Sequence, residues 1–123
     1  MAKIKSRNTA SERLIFGILK NLGVKFEKNF AQLPGSPDAA LKRRKKAIFV
    51  HGCFWHGHRN CKKAKQPKTN RLFWKTKIER NILRDRKCRA QLKKMGWKQL
   101  VIWTCKLRNN SELEKIIGNF IKA

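Results

Sequence analysis

Acidic residues are scarce. The 123-residue chain holds 7 Asp and Glu against 32 Lys and Arg, a formal charge of +25 at pH 7. Self-repulsion on that scale opposes a compact state. It is also the electrostatic footprint of a nucleic-acid binder, because each Lys or Arg set on a phosphate releases a counterion. An anionic membrane surface is the weaker alternative. Long hydrophobic runs are missing as well: no stretch of about 18 apolar residues exists, which excludes a membrane-spanning helix. The N-terminal MAKIKSRNTASERL has no apolar segment of the kind that directs secretion, so the expected location is the reducing cytoplasm. There are only three prolines (Pro34, Pro37, Pro67) and four cysteines. With no internal repeat and no low-complexity linker, the chain reads as one continuous fold. Four cysteines in a reducing compartment point to a metal rather than to disulfides.

What is present suffices for one compact domain over residues 1–123, since 41% of the residues are hydrophobic. Leu14, Ile15, Ile18, Leu19 and Leu22 recur at helical spacing after Thr9, with Glu12 three residues on and Gly23 as a stop, which predicts a helix from Thr9 to Leu22. Alternation over Val24 to Phe30, the turn LPGSP, and PDAAL and AIFV on either side of the basic tip KRRKK predict a hairpin-like pair of strands. Asn70 is placed to cap a long helix with Trp74, Ile78, Ile82, Asp85, Arg89 and Leu92 on one face and Gly96 at its end. KQLVIWTC then reads as a core strand. A last amphipathic helix follows, with Ser111 and Glu114 as its capping box and Leu113, Ile116, Ile117, Phe120 and Ile121 as its stripe. The order predicts a mixed α/β domain.

The densest chemistry is HGCFWHGHRNC, which sets His51, Cys53, His56, His58 and Cys61 within eleven positions. Cys53, His58 and Cys61, joined by Cys105 from the end of LVIWTC, can make a closed thiolate and imidazole set of the kind zinc prefers structurally. Cys88, inside the long helix without a ligand-type neighbour, reads as a packed thiol.

Each acid in so basic a chain needs a reason to be there. Asp38 opens a strand after a Pro-Gly-Ser-Pro turn, and the paired strand ends at Val50 and His51, so the two can converge. It is either a divalent-cation ligand or a turn-capping Asp. Asp85 lies on the apolar stripe and faces inward, needing a partner: an Arg, or a histidine that it orients. Glu12 is accounted for as a capping residue. Phe54 and Trp55 sit between metal ligands on a polar loop, where rigid aromatic rings can wedge between base pairs, and Trp74 can join them. Trp97, Trp103 and Phe73 are expected in the core. KRRKK, CKKAK and the cations of residues 75–94 are expected at solvated, DNA-facing positions that set affinity but not sequence specificity. A non-catalytic zinc-containing nucleic-acid-binding module fits the composition alone, but has no use for an inward carboxylate beside spare histidines.

PGSPD, AIFVHGCFWHGHRNC, PKTNRLFWKTKIERNILRDR and LKKMGWKQLVIWTCKL together resemble the very-short-patch repair (Vsr) endonucleases, which nick DNA 5′ to the thymine of a T:G mismatch. The resemblance covers nearly the whole chain. It implies a restriction-endonuclease-like fold, a central mixed sheet flanked by helices, with a structural zinc and Mg²⁺-dependent phosphodiester hydrolysis. Carried over, Asp38 and the main-chain carbonyl of Val50 would hold Mg²⁺. His56 would handle the water proton, oriented by Asp85, with His51 on the reacting phosphate and Glu12 nearby. Cys53, His58, Cys61 and Cys105 would hold Zn²⁺, and Phe54, Trp55 and Trp74 would form the wedge. The implied partner is double-stranded DNA with a T:G mismatch, bound by a monomer, with mismatch-repair proteins as further partners.

Overall fold

The computed structural model describes residues 9–53, 56, 58, 61, 69–107 and 110–122. Its elements are α1 (Thr9–Asn21), β1 (Glu27–Lys28), β2 (Ala39–Leu41), β3 (Lys46–His51), α2 (Arg71–Lys94), β4 (Lys98–Trp103), a 3-10 turn (Thr104–Lys106) and α3 (Asn110–Lys122). The strands form one sheet in the order β1-β2-β3-β4. The first two pairings are antiparallel and β3 with β4 is parallel. A parallel pair needs a crossover connection, and α2 supplies it.

Alternation along the strands sorts the core onto two faces. Ala39, Leu41, Ile48 and Ile102 pack with Ile15, Ile18 and Leu19 of α1 and with Leu113, Ile117 and Ile121 of α3. Ala40, Ala47 and Phe49 point the other way, against Leu33 and Leu92 of α2. The result is a mixed α/β domain with helices on both faces of a mixed four-stranded sheet. α2 is only loosely amphipathic: of its 24 residues, Ile78 and Leu92 are the buried ones. No helix of the described residues is long and apolar enough to cross a membrane.

The β2–β3 hairpin lies where the sequence pattern puts it, but several local features differ. The strand expected over Val24 to Phe30 shrinks to Glu27–Lys28, both exposed, and the left-handed Asn29 (φ 47) interrupts the extended backbone just beyond it. Asn70 takes a left-handed conformation (φ 55) and its side chain makes no capping bond, an alternative open to Asn because of its short polar side chain. α3 already starts at Asn110, so Ser111 lies within the helix and is not its cap. Phe73, expected in the core, is 58% exposed, because the start of α2 carries no fully buried residue before Ile78.

Lys46, read as part of a solvated basic tip, is buried. Its Nζ donates to the carbonyls of Phe120 (2.6 Å) and Ile121 (2.7 Å), and Arg44 Nη1 donates to Ile121 at 3.3 Å. The last carbonyls of a helix have no partner of their own and carry partial negative charge, so cations from the sheet close the end of α3. Burial, and then Lys98 and Arg44 nearby, lower the Lys46 ammonium from its ordinary value.

Gly35 fixes the turn ahead of β2. Its φ is +80°, and a Cβ there would lie 3.1 Å from Phe49 Cε1 and 3.2 Å from Cys88 Cβ. Only glycine combines that backbone with so close an approach to β3 and α2. The turn thereby delivers Asp38 to the end of the hairpin.

Leu92 is fully buried where α2 meets the sheet. Leu92→Ala is expected to destabilise the protein by about 2–5 kcal/mol, the usual range for a truncation that leaves a core cavity. Urea unfolding followed by far-UV circular dichroism checks this.

Candidate functional site

β3 and β4 finish level with one another, His51 opposite Trp103 and Val50 opposite Ile102. The open carboxyl ends of parallel strands are where α/β sheets place ligands. A cavity of about 190 Å³ lies there, and Glu12, Asp38, Val50, His51, His56 and Asp85 all line it. Three of the chain's seven acids therefore meet in one hollow of a +25 protein.

Asp38 faces the end of β3 directly: the Val50 amide donates to its Oδ2 at 2.7 Å. The contact sets the carboxylate against the main chain of Val50 at the end of β3. Glu12, although in the first turn of α1, is 6% exposed and reaches the same cavity, so a role as a helix-start residue does not describe it fully.

The two histidines lie face to face. The rings of His51 and His56 stack 3.9 Å apart and 4° from parallel. His56 Nδ1 donates to Asp85 Oδ2 at 2.6 Å. Because a carboxylate can only accept, this bond puts the proton on Nδ1 and leaves Nε2 with the lone pair in the neutral ring. Asp85 is thus the inward carboxylate expected from the helical pattern, and its partner is a histidine. His51 is 7% exposed, and its Nδ1 has no hydrogen-bond partner among the described residues. Burial pushes its pKa down to about 4; the neighbouring His56 lowers it too, Asp85 opposes and Arg89 adds to the lowering. It is neutral at pH 7. His51, His56 and Asp85 are close enough to be a metal set. Ring lone pairs lie in the ring plane, however, and the parallel stack keeps those planes from converging on one ion.

A second cluster adjoins the first. Cys53, His58, Cys61 and Cys105 bring their donor atoms within 4.8 Å of one another, and Cys105 Sγ lies 3.5 Å from His58 Nδ1. The loop curls to achieve this, with the His56 amide donating to Gly52 and the His58 amide to Cys53. Thr104 ties it to β4: its Oγ1 accepts from the Cys53 amide at 3.3 Å and donates to Cys53 Sγ at 3.4 Å. Burial and the adjoining Cys53 and Cys61 thiols push the Cys105 thiol up to about 11. Thiols held together this way resist ionisation unless a cation shares their charge, so the cluster could hold a metal.

Trp103 joins the two clusters. Its ring stacks on His58 (4.1 Å, 9°) and meets His51 edge-on at 5.3 Å. Trp97 packs against the core as expected, whereas the half-buried Trp103 lies against the histidines at the end of β4.

The family model described as DNA mismatch endonuclease Vsr matches residues 1–63. The type II nicking enzyme V.XorIIP of Xanthomonas oryzae is 37% identical over 121 residues, 98% of this chain and 88% of its own length. V.NmeAIP of Neisseria meningitidis is 38% identical over 122 residues, 99% and 86% of the two chains. The DNA mismatch endonuclease Vsr of Escherichia coli is 40% identical over 113 residues, 92% and 72% of the two. The chain belongs to the Vsr family.

Of the aromatic residues expected as a Vsr wedge, Phe54 and Trp55 lie outside the described residues. Trp74 is half-buried at the start of α2, edge-on to the exposed Phe73 at 5.1 Å, and does not line the cavity. Among the wall residues that sequence reasoning gave no site role are Cys88 and Arg89. Arg89 stands four residues after Asp85, one helical turn along the same face, and that spacing was the available signal. Cys88 is a half-buried thiol, but it faces the cavity and the Gly35 turn.

The four-ligand cluster leads to a direct measurement. The purified protein is expected to carry one tightly held metal ion, and Cys105→Ser to lose it and melt at a lower temperature. Elemental analysis with thermal unfolding checks both, since metal-binding energy in a small domain is largely folding energy.

Proposed function

We propose that this DNA endonuclease nicks one strand 5′ to the thymine of a T:G mismatch, by Mg²⁺-dependent hydrolysis, as a monomeric 1–123 domain of restriction-endonuclease-like fold. The observation that carries the reading is the meeting of Glu12, Asp38, Asp85 and two stacked histidines in one cavity of a strongly basic chain. A module that only binds nucleic acid gains nothing from burying acids where phosphate approaches.

Asp38 and the Val50 carbonyl would hold Mg²⁺, which supplies charge neutralisation at the phosphate and a lowered pKa for the attacking water. His56 Nε2 takes the proton of that water, while Asp85 holds the ring in the required tautomer and orientation. His51, neutral at working pH, meets the phosphate through a hydrogen bond and not as an ion pair. Glu12 adds negative charge at the edge of the site. The water oxygen bonds to phosphorus as the P–O3′ bond in line with it breaks, and the departing O3′ takes up a proton from solvent, which leaves 3′-hydroxyl and 5′-phosphate ends.

Cys53, His58, Cys61 and Cys105 hold a structural Zn²⁺; three thiolates with one imidazole are a closed, soft donor set that selects that ion. Phe54, Trp55 and Trp74 act as the wedge. Unstacking costs a few kcal/mol and less at a wobble pair than at a Watson–Crick pair, which favours the mismatch. Mismatch-repair proteins are the expected downstream partners.

Asp38→Ala is expected to fold, keep its bound metal and bind DNA at least as tightly, yet to lose nicking. Cleavage within a few-fold of the parent would move the active site elsewhere. The deciding experiment compares matched duplexes that differ only in a T:G or a T:A pair, with Mg²⁺ present and then withheld. The T:G duplex should be cut on the thymine strand only and only with Mg²⁺. Equal cutting of both duplexes would mean a nuclease without mismatch preference, and cutting of neither, with salt-sensitive binding, a binding module.

A further inference from the structure

A second hollow has no part in the chemistry above. The end of α1, β1 and the β2–β3 turn enclose a cleft of about 780 Å³, lined by Lys20, Lys25, Lys28, Lys42, Arg43 and Arg44. Glu27 is the one acid on its wall, and it pairs with Lys42 at 4.0 Å. Five cations are left without a matching carboxylate in the wall.

Several of these cations are held by neighbouring groups. Lys28 Nζ lies 5.2 Å from the ring centre of Phe16, and Lys42 Nζ lies 4.7 Å from that of Phe30. Phe16 in turn stacks at 5.5 Å on Phe26, part of the cleft wall. Arg44 is held by its bond to the Ile121 carbonyl. Cations laid on rings and carbonyls lose less side-chain freedom when an anion arrives. Lys20, in the last turn of α1, offsets the negative end of that helix where it meets the cleft.

Position sets this cleft apart from the catalytic cavity. The two open at opposite ends of the β2–β3 hairpin, one lined by Arg43 and Arg44 and the other by Val50 and His51. The six residues of β3 between them span about 17 Å at the usual strand rise.

We infer that this cleft binds the phosphodiester backbone of a stretch of duplex DNA other than the one being cut. The inference rests on the reading of the chain as a DNA endonuclease. Concavity fits a projecting ridge of backbone better than the flat plane of an anionic membrane, to which the same cations would otherwise be drawn. With both sites occupied, the enzyme keeps a hold on DNA that carries no lesion while its cavity samples another segment.

The test uses the zinc-loaded protein without Mg²⁺, so that the two-duplex result depends neither on cleavage nor on mismatch choice. The catalytic site is first filled with a short mismatched duplex of about 12 base pairs, and a fluorescent 40-base-pair duplex is then added. A complex holding both duplexes is expected. In Lys20→Ala/Lys25→Ala/Lys28→Ala that complex should be lost, and the salt dependence of 40-base-pair binding should fall by about two to three in slope, near 0.9 per phosphate contact. Affinity for the short duplex, its nicking once Mg²⁺ is restored and the melting temperature should stay within twofold or a degree or two. Displacement of the short duplex by the long one would overturn the inference, as would equal weakening on both duplexes. So would an unchanged slope, including the case in which the triple variant loses binding only to phosphatidylserine vesicles. If the parent failed to cut T:G duplexes at all, the two-duplex result would still stand or fall by itself.

Discussion

Six in-register pairs, from Lys46 against Lys98 to His51 against Trp103, hold β3 and β4 in parallel, and both strands run out at the same level. The consequences are geometric. Cys53, His56 and His58 leave from the end of one strand, Thr104 and Cys105 from the end of the other, so a thiol cluster and a histidine pair can form only if the ladder is in this register. A slip of one residue would turn His51 and Trp103 to the opposite face of the sheet, away from Asp85. α2 is the crossover that makes the parallel pairing possible, and it is also the element that brings Asp85 to His56.

Charge follows the same division of the molecule. Acids at one end of the hairpin, Glu12 and Asp38 with Asp85 across from them, line one cavity. At the other end the turn between β2 and β3 holds cations almost alone. A uniformly basic surface would attract DNA without saying where chemistry should occur. The few carboxylates gathered in one cavity single out one place in that field.

Much of this was legible in the residues. The stripes of α1 and α3, the hairpin around KRRKK, the core strand before Cys105 and the inward face of Asp85 all follow from periodicity. The four-ligand cluster followed from spacing and ligand type. What failed was local. Asn70 and Ser111 offered capping patterns, but Asn70 took a left-handed turn and Ser111 fell inside α3, while Glu12 lines a cavity from the first turn of α1. Lys46 was read by its neighbours as solvated. The distant carbonyls of Phe120 and Ile121, more than seventy residues away, help make its burial tolerable. Phe73 shows the reverse case, an aromatic residue left outside because α2 starts before the sheet can cover it.

Trp103 turns two neighbouring clusters into one thermodynamic unit. Its ring lies flat on His58 and edge-on to His51, so its position is a variable that both clusters share. Linkage is reciprocal: whatever an ion among the thiols does to hold the histidine stack in place, the stack does in equal measure for the affinity of the ion. A change that reshapes the thiol cluster would therefore be felt by the histidines without touching them. In a fold this small, two clusters at one end of the sheet do not hold separate reserves of stability.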